Sequence, residues 1–327
     1  MGCLCSSSEP WFRGCETGGD DPLSSKGDDA RVTYYGRPLL KEPVWIWAVP
    51  AYFYAGGAAG AAAALGAVAQ IASRDELNGL IARCRRIATA GTIAGAALLI
   101  YDLGRPRRFL NMLRVFRPTS AMSVGSWLLA GASSLSAGSA MFERSSGVGR
   151  RIGDIAGIGA GLFGLPVSGY TAVLLSDTAV PLWQATRTSL PALFVASSMS
   201  SAVSLLEFME LSETEDLIVR RLDLAAGAAE LAAAALVQKQ ASEVPEVGRS
   251  LEEGVGATLW KLSTVLAAGG LALTLLPGES RTRRVIGALV GTAGGIALRI
   301  SVFHAGKSSA LDPHATFAQQ RAGYGAG

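Results

Sequence analysis

Asp223 and Glu230 stand seven residues apart, a spacing that puts both carboxylates on one face of a helix. The run around them is otherwise rich in Ala, Leu and Gly. If that run crosses a membrane, Asp223 lies about two turns in and Glu230 near the middle. Each ionisable group at such depth costs ~2.5–3.5 kcal/mol on insertion scales, so a functional role is the first reading. Asp154 and Glu207 stand near the ends of two other apolar runs, on the same side as the start of this one. Together the four acids suit a route for protons. The alternative for Asp223 and Glu230 is a structural pair with Arg220, Arg221 or Arg299.

A second group collects at the opposite side. Trp45, Trp47, Tyr52 and Tyr54 surround Pro50; Tyr101 and Asp102 precede Gly104 and Arg105; Tyr170, Ser176 and Asp177 precede Pro181 and Trp183. Ordinary interfacial aromatic residues account for some of these. Asp102 and Arg105, an acid and a base three apart at a helix exit, are expected to form a fixed pair.

These residues must be positioned by membrane helices. Half of the 327 residues are hydrophobic and only 17% are charged, against about 25% in soluble domains. Crossing a bilayer takes ~20 mostly apolar residues. Eight segments qualify, at about 44–70, 87–103, 122–142, 152–175, 189–211, 217–239, 256–276 and 285–303. The expectation is an all-α integral membrane protein with eight transmembrane helices. An even count puts both ends of the chain on one side, here called side A, and Lys and Arg in the connections do not decide which side that is. The 40 glycines suit tight helix packing, since Gly56/Gly60, Gly91/Gly95, Gly153/Gly157/Gly161 and Gly287/Gly291/Gly295 recur at spacing four.

Several classes are excluded. A net charge of +3, dispersed along the chain, does not suggest nucleic acid. The two histidines, His304 and His314, lie at or beyond the end of the eighth segment. A membrane di-haem site needs axial histidines on facing helices, so no haem is expected. Cys3, Cys5, Cys15 and Cys84 lack the paired short spacings of a metal centre, so no metal is expected. The first 30 residues lack the apolar core of a signal peptide. Met1-Gly2 with Ser6 matches a myristoylation pattern that occurs often by chance.

The motifs resemble the NrfD / polysulfide-reductase membrane-subunit family. Tyr34-Tyr35-Gly36-Arg37-Pro38 with Val44-Trp45, Pro50 and Tyr52-Phe53 is similar to its entry. Tyr101-Asp102-Leu103-Gly104-Arg105-Pro106 with Arg108-Phe109 and Met112-Leu113 resembles its most recognisable motif. Tyr170-Thr171 with Leu174-Leu175-Ser176 and Pro181-Leu182-Trp183 resembles the fourth-helix motif, Leu190-Pro191 with Phe194 the fifth, and Asp312-Pro313 with Phe317 and Gln320-Arg321 the tail.

The resemblance implies two four-helix bundles: a flexible leader at 1–33, a first bundle with the quinone site at 34–185, a second at 186–304 and a tail at 305–327. It implies a bound quinone, menaquinone or ubiquinone. It implies a ferredoxin-like iron–sulfur partner, a molybdopterin-type catalytic subunit and a place in the cell inner membrane among lipid.

Tyr170 is then the candidate hydrogen-bond donor to the quinone. Asp102 would exchange its proton, Arg105 would hold Asp102 or help dock the partner, and Trp47 and Tyr52 would line the pocket. Counted along helices, Tyr170 lies ~7 Å inside side A with Asp102 level with it. Trp47 and Tyr52 lie within two turns of the same surface, so all four are expected in one shallow pocket. Asp154, Glu207, Asp223 and Glu230 would carry protons towards side B. Arg107, Arg108, Arg114 and Arg117 concentrate positive potential for docking the iron–sulfur partner. The family member acting on polysulfide uses Asn and His near the start of helix one, where this sequence has Trp47, Tyr52 and Tyr54. The competing classes are a secondary transporter or proton-translocating channel-like protein, which would show internal repeats, and a structural anchor without a quinone pocket.

Overall fold

A computed structural model describes residues 39–276 and 280–323, without the side chains of Pro106, Arg108 and Phe109. The leader, its three cysteines and the Tyr34–Pro38 motif lie outside the described residues. Among the described residues the chain is all helix, with no strand. Eight long helices are α1 (Ala48–Ser73), α2 (Asn78–Leu103), α4 (Ala121–Met141), α5 (Gly147–Ser176), α7 (Leu190–Glu207), α8 (Glu213–Ser242), α10 (Gly254–Leu275) and α11 (Arg281–Leu311). Short helices join or follow them on side A: α3 (Pro106–Met112), α6 (Pro181–Ala185), α9 (Pro245–Glu252) and α12 (Pro313–Arg321).

Six of the long helices are long and apolar enough to cross a membrane: α1, α2, α5, α7, α10 and α11. The other two carry the polar residues. Ser123, Ser126, Ser133, Ser134, Ser136 and Ser139 lower the hydropathy of α4. The charges around Asp216, Arg220, Asp223 and Glu230 do so for α8.

Local signals set the ends. Ser212 opens α8 with a capping box, its hydroxyl accepting from Glu215 N while the Glu215 carboxylate accepts from Ser212 N. Gly104, at φ 68° in the left-handed region, ends α2 and turns the chain towards α3. Asp312 caps α12 by accepting from His314 N at 2.8 Å. α11 continues eight residues past the expected end at 303, so Lys307 stands on a helix rather than in a tail.

Helix α1 packs on α2 and α5, and α4 packs on the same two helices. Helix α7 packs on α8 and α11, and α10 packs on those two. Between the groups, α1 and α5 meet α7, and α1 meets α11. Glycines permit the closest crossing. A Cβ on Gly60 would collide with the Gly164 carbonyl oxygen, and one on Gly164 would lie 2.8 Å from the Ala63 Cβ. Two backbones therefore touch where α1 meets α5. Trp183 of α6, fully buried, stacks on Trp45 at 6.0 Å and donates to the Val302 carbonyl at 2.9 Å. It ties the chain entering α1 to α11.

Candidate functional site

Two residues of α1 divide the side-A chemistry. Tyr52 and Tyr54 are about 200° apart around the helix. Tyr52, 7% exposed, meets Gly56 and Gly95 and lies within electrostatic reach of Tyr170. The Tyr170 ring lies against Gly125 of α4, where a Cβ would collide with it. Its hydroxyl is buried beside the Gly125 backbone and makes no hydrogen bond of normal geometry. Asp177 is within electrostatic reach of the same ring.

Tyr54 turns to the other helix group. Its buried hydroxyl lies beside Ser201, Thr292 and Arg299. Arg299, 1% exposed, stacks over the Phe194 ring at 4.1 Å and donates through Nη2 to Phe194 O at 3.1 Å and Ser198 Oγ at 2.9 Å. Its Nε and Nη1 are buried without hydrogen bonds. Glu230 is the acid within its electrostatic reach.

The expected shallow pocket is divided. Asp102 accepts from Ile46 N at 3.4 Å through Oδ1, and Trp47 packs on Tyr101 at 6.1 Å. Asp102 thus fastens the segment entering α1. It does not pair with Arg105, which the turn at Gly104 leaves exposed. Among the described residues no hydrogen bond or ring contact joins Trp47 to Tyr52 or Tyr170. Arg107, Arg114 and Arg117 are exposed along the α2–α4 connection; the Arg108 side chain lies outside the described residues.

The four acids of the expected proton route also separate. Asp154 of α5 is held by Arg74 and, at 3.2 Å, by Arg85, whose Nη2 also donates to Gln70 Oε1 at 2.8 Å. This cluster closes the side-B ends of α1, α2 and α5. The other three lie together among α7, α8, α10 and α11. Glu207, 7% exposed, is within electrostatic reach of Asp216, Asp223 and Arg284 in a side-B cleft of about 230 Å³. Asp223 accepts from Thr274 Oγ1 at 2.6 Å. Deeper, Asp223 and Glu230 line one narrow space floored by Gly227, Gly291 and Gly295. Glu230, 6% exposed, is flanked by Ser197, Ser200 and Arg299. Among the described residues no group of three or more His, Cys, Asp and Glu could hold a metal ion.

Tyr54 and the interior position of Arg299 were not legible as site features. Tyr54 reads as one more interfacial aromatic until its neighbours on α7 and α11 are known. A cavity of about 890 Å³ between the segment entering α1 and the face of α11 had no sequence signal either, because its walls lie some 250 residues apart.

A family model described as polysulphide reductase, NrfD, matches residues 39–308. No curated protein matches the chain.

Proposed function

We propose, from the premise that the chain belongs to the polysulphide reductase NrfD family, that it is the quinone-reactive subunit of a multi-subunit oxidoreductase. The chain is a multi-pass membrane protein. In this reading all eight long helices cross the inner membrane as two four-helix bundles. The two rings of helix contacts support that arrangement, and so does the placing of Asp223 and Glu230 of α8 against α7, α10 and α11. Electrons pass between a quinone, menaquinone or ubiquinone, and a ferredoxin-like iron–sulfur subunit. That subunit serves a molybdopterin-type catalytic subunit.

The observation that carries the reading is the Tyr170 hydroxyl, buried at the side-A end of α5 beside the Gly125 backbone and with no described acceptor for its proton. An unpartnered buried hydroxyl costs ~1–3 kcal/mol, and a ligand carbonyl offsets that cost by accepting from it. The rings of Tyr52 and Tyr170 supply apolar walls around one directed polar group, the mixture a quinone head requires. Asp102 and Trp47 stand at the neighbouring helix ends. Asp102 is part-exposed, and Arg105, Arg107, Arg114 and Arg117 form the cationic rim for the partner. Replacing Tyr170 by Phe and following quinone-linked turnover tests the assignment.

Protons move through Glu207, Asp223 and Glu230, with Arg299 and Tyr54 at the inner end. What supports this route is the shared narrow space between Asp223 and Glu230 and the cleft that opens Glu207 to side B. Asp154, engaged by two guanidinium groups in the other helix group, serves as a clamp.

A further inference from the structure

The cavity of about 890 Å³ is lined by neither Tyr52 nor Tyr170; Trp47 stands at its flank and the Tyr54 ring in its wall. We propose that it holds one phospholipid whose head carries a phosphate and a primary amine. The lining is apolar below and charged above. Ala51, Ile296 and Ile300 form the lower walls, with the Tyr54 ring among them; Lys41, Glu42, His304 and Lys307 form the mouth. Val44, 77% exposed, and Trp47, 65% exposed, leave the groove open at its flank.

The dimensions fit one leaflet. From Lys307 down to Ile296 is eleven residues, or ~16 Å of helix. The hydrocarbon core of a bilayer is ~30 Å thick, so the groove runs about as deep as one acyl chain. Ile296 and Ile300, one turn apart, form a continuous ridge for that chain. The second chain stays in the bilayer, on the open flank.

The mouth selects the head. Lys307 Nζ lies 3.1 Å from Glu42 Oε1 and 4.9 Å from the centre of the Phe303 ring. Lys41 and His304 are exposed beside them. A purely anionic head would meet the Glu42 carboxylate as well as the two lysines. A zwitterion satisfies both signs, its phosphate taking Lys41 and Lys307 and its ammonium taking Glu42. Bound there, the lipid clamps the segment entering α1 to α11, beside Trp45 of the Trp45–Trp183 stack. This inference stands independently of the quinone reading.

The test uses the full chain purified in mild detergent, with phosphatidylethanolamine and phosphatidylglycerol added in equal amounts and bound lipid read by native mass spectrometry. Wild type should retain one phosphatidylethanolamine in preference. Glu42→Gln, a conservative exposed change, should abolish the preference between the two lipids. Lys41→Ala and Lys307→Ala should each weaken retention of both by about fivefold. Ile300→Trp, which fills the groove without altering charge, should abolish retention. An unchanged lipid ratio in Glu42→Gln would overturn the proposal. So would retention unaffected by Ile300→Trp, or release by Ile300→Trp of a quinone instead of a phospholipid. Because Tyr170 is untouched, quinone-linked turnover in Glu42→Gln should match wild type whether or not the lipid assignment holds.

Discussion

Tyr52 and Tyr54 occupy opposite faces of α1, one towards Tyr170 and the other towards Arg299. Helix α1 is therefore a wall between two environments. On one side lies the buried Tyr170 hydroxyl, beside the Gly125 backbone. On the other a buried guanidinium faces a buried carboxylate. In the proposed function this separates the place where a quinone binds from the path its protons follow, with a single helix between them.

Glu230→Gln keeps the shape of the narrow space and removes the proton-carrying group. Quinone-linked turnover should fall by about tenfold or more, since positioned proton transfer is worth ~10²–10⁴-fold when it limits the rate. Quinone affinity should be unchanged, because Glu230 is on the far side of α1 from Tyr170. Steady-state kinetics of the assembled complex, giving kcat and KM separately, checks both statements.

Asp154→Asn should act on stability and leave the chemistry intact. It leaves Arg85, 8% exposed, without its ionised partner, a change that costs ~1–3 kcal/mol at a partly buried site. The thermal midpoint of the purified chain should drop by several degrees while turnover per folded complex stays near wild type. Turnover lost without a drop in midpoint would return Asp154 to the proton route.

Glycine substitutions should separate packing from mere composition. Gly60→Ala forces α1 and α5 apart, because the new methyl meets the Gly164 backbone. Gly269→Ala has open space around it and gains ~0.5–1 kcal/mol from higher helix propensity. Thermal unfolding should show a clear loss for the first and none for the second.

Charge reversal at Arg114 and Arg117 should release the iron–sulfur partner and leave the chain in the membrane. Both side chains are exposed, and neither makes a side-chain hydrogen bond or ion pair among the described residues. Co-purification from solubilised membranes reads the result, and an intact complex would remove these residues from the docking surface.

Helix positions were legible in the sequence because long apolar runs have no other stable use. The ends were less so. α11 extends to Leu311 through Lys307 and Ser308, which a hydropathy window ends before, because it packs against α6 and α9 on side A. Asp102 and Tyr170 were visible through their motifs, yet the partner of Asp102 was not. Its helix lay beside Arg105 in the chain, but the left-handed turn at Gly104 swings Arg105 away and brings in Ile46 N instead. The partner of Arg299 was hidden for a similar reason. Periodicity tells which face a residue takes, and says nothing about which helix that face meets. The lining of the large groove from α1 and α11 is the extreme case, a site built entirely from distant contacts.

The central claim is tested most directly by quinone-linked turnover of the assembled complex in membranes, with dye-linked activity of the catalytic subunit as control. Tyr170→Phe removes one hydrogen bond to a neutral ligand, worth ~0.5–1.5 kcal/mol, so apparent quinone affinity should weaken by about two- to tenfold. Asp102→Asn should lower turnover more than affinity. Dye-linked activity should match wild type in both. Unchanged quinone turnover in both variants, in complexes that retain full dye activity, would contradict a quinone site at the side-A end of α5.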